Sequence, residues 1–310
     1  MLTKRLLIVD DLHPLFKQEA EALGYVVSDE PLFTREQTLA SIKEYEGLAI
    51  RTKFQVDREL LDAAPNLKWI ARAGAGMDNI DEAYAKAKGI QCINAPEGNA
   101  DSVGEHALGM LLALLNKFRQ ADMQVRTGLW DREANRGWEL KGRTVGIIGY
   151  GHMGQAFAQK LQGFGVQVLA YDKYKTGFSD AFAKEVSMEE IVKHSDVLSL
   201  HVPLTRETKH LVNQEYLHHF RKPIFLLNTA RGEVLDTAAL VKALKEGKVL
   251  GAGLDVLETE KFPALGEERW YAELLAQSNV LLSPHVAGWT QESYRKLSEV
   301  LAQKLKNLQI

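Results

Sequence analysis

The sequence predicts an α/β protein built from two doubly wound parallel-sheet domains. Three observations predict it. Short aliphatic and β-branched runs ending at Gly, Asp or Asn alternate along the chain with stretches of helical period. Those runs are apolar throughout rather than every second residue, as parallel strands covered on both faces require. A chain of 310 residues that is 45% apolar suits about two domains, each burying its own core.

Taken in order, RLLIVD reads as the first strand, and Leu15–Leu23 as a helix that Gly24 stops. GLAIRT, LKWIARA and QCINA follow as strands with helical segments between them. A second series comprises TVGIIG, QVLAYD, DVLSLH, PIFLLNT, GAGLDV and NVLLSPH. Between the two series, Ser102–Phe118 reads as a long helix, apolar on most sides and so expected to be buried. The loop after it, Thr127–Lys141, carries Trp130, Arg132, Arg136 and Trp138 around Gly128 and Gly137, an expected packing or subunit surface. From Thr290 onward the pattern is a closing helix.

The balance of 38 basic and 41 acidic side chains, net −3, excludes a nucleic-acid or anionic-membrane binder. Any anion site must then be built from local cations and backbone dipoles. Cys92 is the only cysteine, which excludes an intramolecular disulfide and a Cys-rich metal cluster. It is expected to be a buried structural thiol, and no metal site is expected. The apolar run at the start is too short for a signal peptide. The longest apolar run, Ala107 to Leu115, falls far short of a membrane span. A soluble, cytoplasmic protein is the expectation.

Gly149-Tyr150-Gly151-His152-Met153-Gly154 follows the strand TVGIIG and opens a helical pattern. The first glycine permits a tight turn and the second lets backbone approach a pyrophosphate. The third allows close helix–strand packing, and the helix N-terminus presents free N–H groups. The next strand ends in Asp172, placed to accept ribose hydroxyls and to repel a 2′-phosphate. This is a Rossmann-type unit expected to bind NAD in preference to NADP, with Lys173 and Lys175 as solvated surface lysines.

Reduction of a keto acid needs a cation for the carboxylate, an acid/base for the hydroxyl proton and a partner to orient that acid/base. Three consecutive strand ends supply these types: Arg231 after LLNTA, Glu260 after GLDVLE, and His285 at the end of NVLLSP. In a doubly wound sheet such ends converge on the ligand. Each also has a structural alternative, a capping arginine, a solvated acid or a core histidine. The other eight histidines are expected to be mostly exposed and without a role.

At this point the chain resembles the D-isomer-specific 2-hydroxyacid dehydrogenases. The resemblance is carried in order by Ala73-Gly74-Ala75-Gly76-Met77-Asp78-Asn79-Ile80-Asp81, Gly149–Gly154, His201-Val202-Pro203-Leu204-Thr205, Asn228-Thr229-Ala230-Arg231-Gly232, Gly251-Ala252-Gly253-Leu254-Asp255-Val256 and Ser283-Pro284-His285. It implies that Arg231 binds substrate, that His285 is the acid/base and that Glu260 is its carboxylate partner. The family's spacing selects Glu260 over Glu258. Here Lys261 and Phe262 stand before Pro263, where the family usually has proline at once. The resemblance further implies cofactor contacts from Gly149, Gly151, His152, Met153, Gly154, Asp172, His201, Pro203, Thr205, Thr208, Ala230, Asp255 and Gly288. Among these, Asp172 would take the ribose and Asp255 the nicotinamide amide. The backbone at Ala75 and Gly76 would hold the substrate carboxylate.

The same resemblance implies a Rossmann-type NAD domain (99–286) inserted in a discontinuous flavodoxin-like substrate domain (1–98 and 287–310). Substrate is then expected between the domains, and a homodimer through the long helix and its following loop. Within the family the pattern is most similar to the D-3-phosphoglycerate dehydrogenases, through Ile50-Arg51-Thr52-Lys53, Ala71-Arg72-Ala73-Gly74 and Asn94-Ala95-Pro96-Glu97-Gly98-Asn99. Arg51, Lys53 and Arg72 would then meet a substrate phosphate. The alternative is a glyoxylate or hydroxypyruvate reductase in which these are surface cations. A C-terminal effector domain, and serine feedback through it, are not expected. A more remote alternative is an NAD-sensing partner of a transcriptional regulator, against which the intact Arg–Glu–His set argues.

Overall fold

The computed structural model describes residues 4–308. The chain forms two compact units, one running to Ala100 and resuming at Trp289, the other Asp101–Gly288. No helix among the described residues is long and apolar enough to cross a membrane.

The first unit alternates β1 (Arg5–Ile8), α1 (Pro14–Ala22), β2 (Val26–Asp29), α2 (Arg35–Ser41), β3 (Gly47–Ile50), α3 (Arg58–Asp62), β4 (Trp69–Arg72), α4 (Glu82–Ala87) and β5 (Gln91–Asn94). Its five parallel strands lie in the order β2-β1-β3-β4-β5. Successive strand residues serve opposite faces. Leu7, Leu48, Ile50 and Ile70 pack with Leu60, Leu61 and Ala85 of α3 and α4. Leu6, Ile8, Ala49 and Trp69 pack with Phe16 and Ala20 of α1 and with Leu297, Leu301 and Leu305 near the chain's end. This two-sided burial is why the runs read as apolar throughout.

A long helix, α5 (Pro96–Leu115), leads into the second unit and is followed by α6 (Phe118–Arg126). The expected Ser102–Phe118 helix is corrected at both ends. Pro96, with its fixed φ, starts the helix earlier. Lys117, in the left-handed region at φ 53°, separates α5 from α6. Strands and helices then continue as β6 (Thr144–Ile148), α7 (His152–Lys160), β7 (Gln167–Tyr171), β8 (Lys184–Glu185), α8 (Met188–His194), β9 (Val197–Leu200), α9 (Gln214–His219) and β10 (Ile224–Asn228). After them come α10 (Thr237–Lys245), β11 (Val249–Leu254), α11 (Ala264–Glu267), α12 (Tyr271–Leu275) and β12 (Val280–Leu282). The closing helix α13 (Gln291–Lys306) belongs to the first unit and is capped by Thr290.

The second sheet is also parallel, in the order β12-β11-β10-β9-β6-β7-β8. One face is closed by α8 and α10 through Ile191, Leu240 and Leu244. The other is closed by α5 and α7 through Met110, Leu111, Leu114 and Phe157. Chain order reverses between β6 and β9, the place where such sheets open a crevice for ligands. The sequence reading passed over β2 and β8, both edge strands and neither carrying a long apolar run.

Candidate active site

At the reversal point, Gly149 leaves β6 with φ 93° and donates its N–H to Tyr171 O at 2.8 Å. A side chain there would put Cβ 2.5 Å from the backbone oxygen of His201, and one at Gly154 would stand 2.1 Å from Gly149 O. Both glycines are demanded by the chain's own packing. Gly151 is different: a Cβ would meet nothing within 4 Å. It caps α7 with no side-chain acceptor for the first-turn N–H groups of the helix that His152 and Met153 begin. Open space beside free N–H donors is a cradle that fits a pyrophosphate.

Asp172 is held at the end of β7 because its two oxygens accept N–H from Tyr150 and Tyr174, each at 2.9 Å. The lysines after it are exposed, yet both are engaged. Lys173 Nζ lies 2.5 Å from Glu207, and Lys175 Nζ donates to Tyr150 O at 2.8 Å. At the end of β9, His201 Nε2 meets Ser199 Oγ at 2.8 Å while Nδ1 is buried without a partner. Burial pushes this imidazole down to about 4, so it is neutral at pH 7. Beyond it, the Thr208 hydroxyl donates to Pro203 O at 2.6 Å and closes a turn with Thr205.

The fully buried Asn228 shapes the turn after β10, accepting Ala230 N–H at 3.1 Å and donating to Arg231 O at 2.9 Å. Arg231 is half-buried, and its Nη1 donates to Ala230 O at 2.6 Å. Gly232 lies against the next segment so closely that a Cβ would fall 1.9 Å from Leu257 O. That contact brings the Arg231 turn beside the stretch carrying Glu258 and Glu260. Glu260 Oε2 faces His285 Nδ1 at 3.0 Å. Glu258 instead takes the Thr237 N–H and His210 Nε2, each at 2.8 Å. A cavity of about 400 Å³ adjoins the Glu260–His285 pair, walled by Leu257, Phe262, Leu265, Tyr271, Leu282 and Pro284.

Asp255 is 1% exposed. Its Oδ1 accepts the Ser283 hydroxyl at 2.5 Å and Val286 N–H at 2.9 Å, and its Oδ2 accepts Ala287 N–H at 2.8 Å. The contact expected with a nicotinamide amide has only that small exposed remainder, while the residue anchors the loop of His285 from Ser283 to Ala287. The expectation of exposed, unemployed histidines is also corrected. His201 is half-buried with its Nδ1 enclosed, His210 is paired with Glu258, and His106 meets Ser283 Oγ at 2.9 Å. Only the fold brings these rings to their partners, so no local pattern announced them.

The expected phosphate cations all lie in the first unit, each with its own surroundings. The Arg72 guanidinium covers Gly74, where a Cβ would fall 1.6 Å from Nη1. The Arg51 guanidinium stacks 3.3 Å from the Trp289 ring centre. Burial pulls its pKa below the ordinary value, against the opposing pull of Asp10 and Asp11. Lys53 Nζ donates to Pro31 O. The loop of Ala75 and Gly76 is fixed by Asn94 Nδ2, which donates to Ala75 O at 2.6 Å.

Residues 108–287 match the family described as D-isomer specific 2-hydroxyacid dehydrogenase, NAD binding domain. The chain is 38% identical over 271 residues to the hydroxypyruvate reductase of Thermotoga maritima, with 87% of each chain covered. It is 38% identical over 277 residues to the D-3-phosphoglycerate dehydrogenase of Archaeoglobus fulgidus, covering 89% of this chain and 51% of that protein. The D-lactate dehydrogenase of Aquifex aeolicus, solved with NAD and lactic acid, superposes with a TM-score of 0.82 at 30% identity, covering 98% of this chain and 94% of that one.

Proposed function

The chain belongs to the D-isomer-specific 2-hydroxyacid dehydrogenases, NAD-dependent oxidoreductases, and from that premise we propose which of its residues act and on which acid. The observation that carries the reading is the 3.0 Å approach of Glu260 to His285 Nδ1. An ionised carboxylate only accepts hydrogen bonds, so Nδ1 holds its hydrogen and Nε2 exchanges the proton with the substrate oxygen. Arg231 binds the substrate carboxylate and draws electron density from the C2 carbonyl. NAD, when bound, would supply or take up the hydride. Gly149–Gly154 would hold its pyrophosphate and Asp172 its ribose. His201, Pro203, Thr205 and Thr208 serve the adenosine side, and Ala230, Asp255 and Gly288 the nicotinamide side.

For the substrate, the reading favoured here is 3-phosphoglycerate and 3-phosphohydroxypyruvate, with a place in serine biosynthesis. Its support is that Arg51 and Arg72 leave neighbouring strand ends, Ile50 pairing with Arg72 in register. The Ala75–Gly76 backbone would hold the carboxylate. A second reading, glyoxylate or hydroxypyruvate reduction, draws on the engagements of Arg51 with Trp289 and Lys53 with Pro31. NADH absorbance followed with each of the three oxo acids separates them. A preference for the phosphorylated acid of about 100-fold in kcat/KM, some 2.7 kcal/mol, that is lost selectively in Arg72→Ala supports the first. Equal rates with the unphosphorylated acids, unchanged in that variant, support the second.

A homodimer is part of the proposal. Phe118, Met123 and Val125 of α6, with Leu129 and Trp130 beyond it, are each at least half exposed. An apolar surface of this kind is what a subunit contact covers.

A further inference from the structure

His106 has no part in the proposed chemistry, yet it is joined to the loop that carries His285. Its Nε2 lies 2.9 Å from Ser283 Oγ and 3.6 Å from Asp255 Oδ1. These three residues come from α5, from the segment after β12 and from the segment after β11, so the contact is purely tertiary.

The hydrogens can be assigned by elimination. An ionised Asp255 can only accept, so the single hydroxyl hydrogen of Ser283 points to Oδ1 at 2.5 Å. The Ser283 oxygen is then left with lone pairs facing His106, so His106 Nε2 carries a hydrogen and donates it. The chain of donation runs from His106 to Ser283 to Asp255. Asp255 passes the constraint on, because its carboxylate accepts the N–H groups of Val286 and Ala287 and its backbone oxygen accepts that of His285 at 2.8 Å.

The constraint matters because His285 is one of three non-glycine residues in the described chain with positive φ, at 54°. A β-carbon resists that conformation, and it persists only where flanking contacts over-determine it. The bonds to Asp255 on both sides of His285 do so, and they aim its imidazole at Glu260. We infer that His106 is a positioning residue for proton transfer at His285, acting through Ser283 and Asp255.

The inference rests on His285 as the acid/base, and the test keeps the two apart. Steady-state kinetics would compare the wild type with His106→Leu, His106→Gln, Ser283→Ala, the His106→Leu/Ser283→Ala double variant and His285→Gln. The probe is whichever of 3-phosphohydroxypyruvate, hydroxypyruvate or glyoxylate turns over best. The expected result is a loss of about tenfold in kcat for His106→Leu, with the KM for NADH kept within about twofold. His106→Gln, whose amide nitrogen reaches the place of Nε2, should recover most of that loss. The double variant should be no worse than Ser283→Ala, because both changes cut one relay.

Full kcat in a folded His106→Leu variant or in Ser283→Ala overturns the inference, as do strictly additive losses or a change confined to the KM for NADH. Thermal melting of each variant identifies a collapsed fold, and Ser283→Ala, which removes a single oxygen, decides the matter if His106→Leu does not fold. If His285→Gln keeps turnover, the acid/base assignment is at fault. If it abolishes turnover while His106→Leu does not lower kcat, only the positioning role falls.

Discussion

Glu258 and Glu260, two residues apart, are committed to different histidines: Glu258 Oε2 to His210 Nε2 at 2.8 Å, and Glu260 Oε2 to His285 Nδ1 at 3.0 Å. Glu258 also accepts the Thr237 N–H at the start of α10, a structural duty that Glu260 does not share. The expectation is therefore a split phenotype. Glu260→Gln should lower kcat by about 10–100-fold while leaving the melting temperature near that of the wild type. Glu258→Gln should cost about 1 kcal/mol of stability and leave kcat nearly intact. Paired kinetic and melting measurements check both, and the opposite pattern would exchange their roles.

Gly151 and Gly154 should also behave differently when given a methyl group. The space at Gly151 is open, so Gly151→Ala should fold as the wild type does while obstructing the approach of a pyrophosphate. Its dissociation constant for NADH, read by fluorescence titration, should rise at least about tenfold. At Gly154 the added carbon would sit 2.1 Å from Gly149 O, so Gly154→Ala should lose stability as well as affinity. Unchanged NADH affinity in Gly151→Ala would place the dinucleotide elsewhere.

His201 sets a pH dependence whose sign follows from its burial. Its value is about 4 in the fold against 6.5 for the ordinary imidazole, so the unfolded chain takes up the proton first as pH falls. Stability from this group is whole above pH 6.5, is lost progressively between 6.5 and 4, and changes no further below that. The full loss is up to about 3 kcal/mol. Urea midpoints at pH 7 and pH 4.5 should show the wild type losing more stability than His201→Gln. Equal losses would mean that the imidazole is not shielded.

The exposed apolar residues of α6 predict a subunit contact that can be broken by charge. Light scattering at micromolar concentration should give a dimer for the wild type and a monomer for Met123→Glu/Val125→Glu. A wild-type monomer would leave that surface for another purpose.

Much of the fold was legible because both sheets are parallel and covered on two faces. Burying every residue of a strand such as Ile224–Asn228 writes the unbroken apolar run Ile224–Leu227 into the sequence. The glycine fingerprint was legible for a similar reason, since its requirements are local to one strand–turn–helix unit. Edge strands such as Val26–Asp29 were not, because a half-exposed strand can carry polar residues. The boundary at Lys117 was missed because a single left-handed residue leaves no mark on apolar periodicity.

The sequence by itself determined the alternation of strands and helices, the place of the glycine-rich turn and the residue types at the strand ends. Tertiary structure alone decided that Arg51 lies on Trp289 and that His106 reaches Asp255 through Ser283, and it set Glu260, the acid that the family's spacing selects, 3.0 Å from His285. The physical reason is range. Strand burial and turn chemistry act between near neighbours and leave periodic traces in the chain. A hydrogen bond of about 3 Å between residues far apart in sequence depends on how whole elements pack, and no neighbouring residue records it.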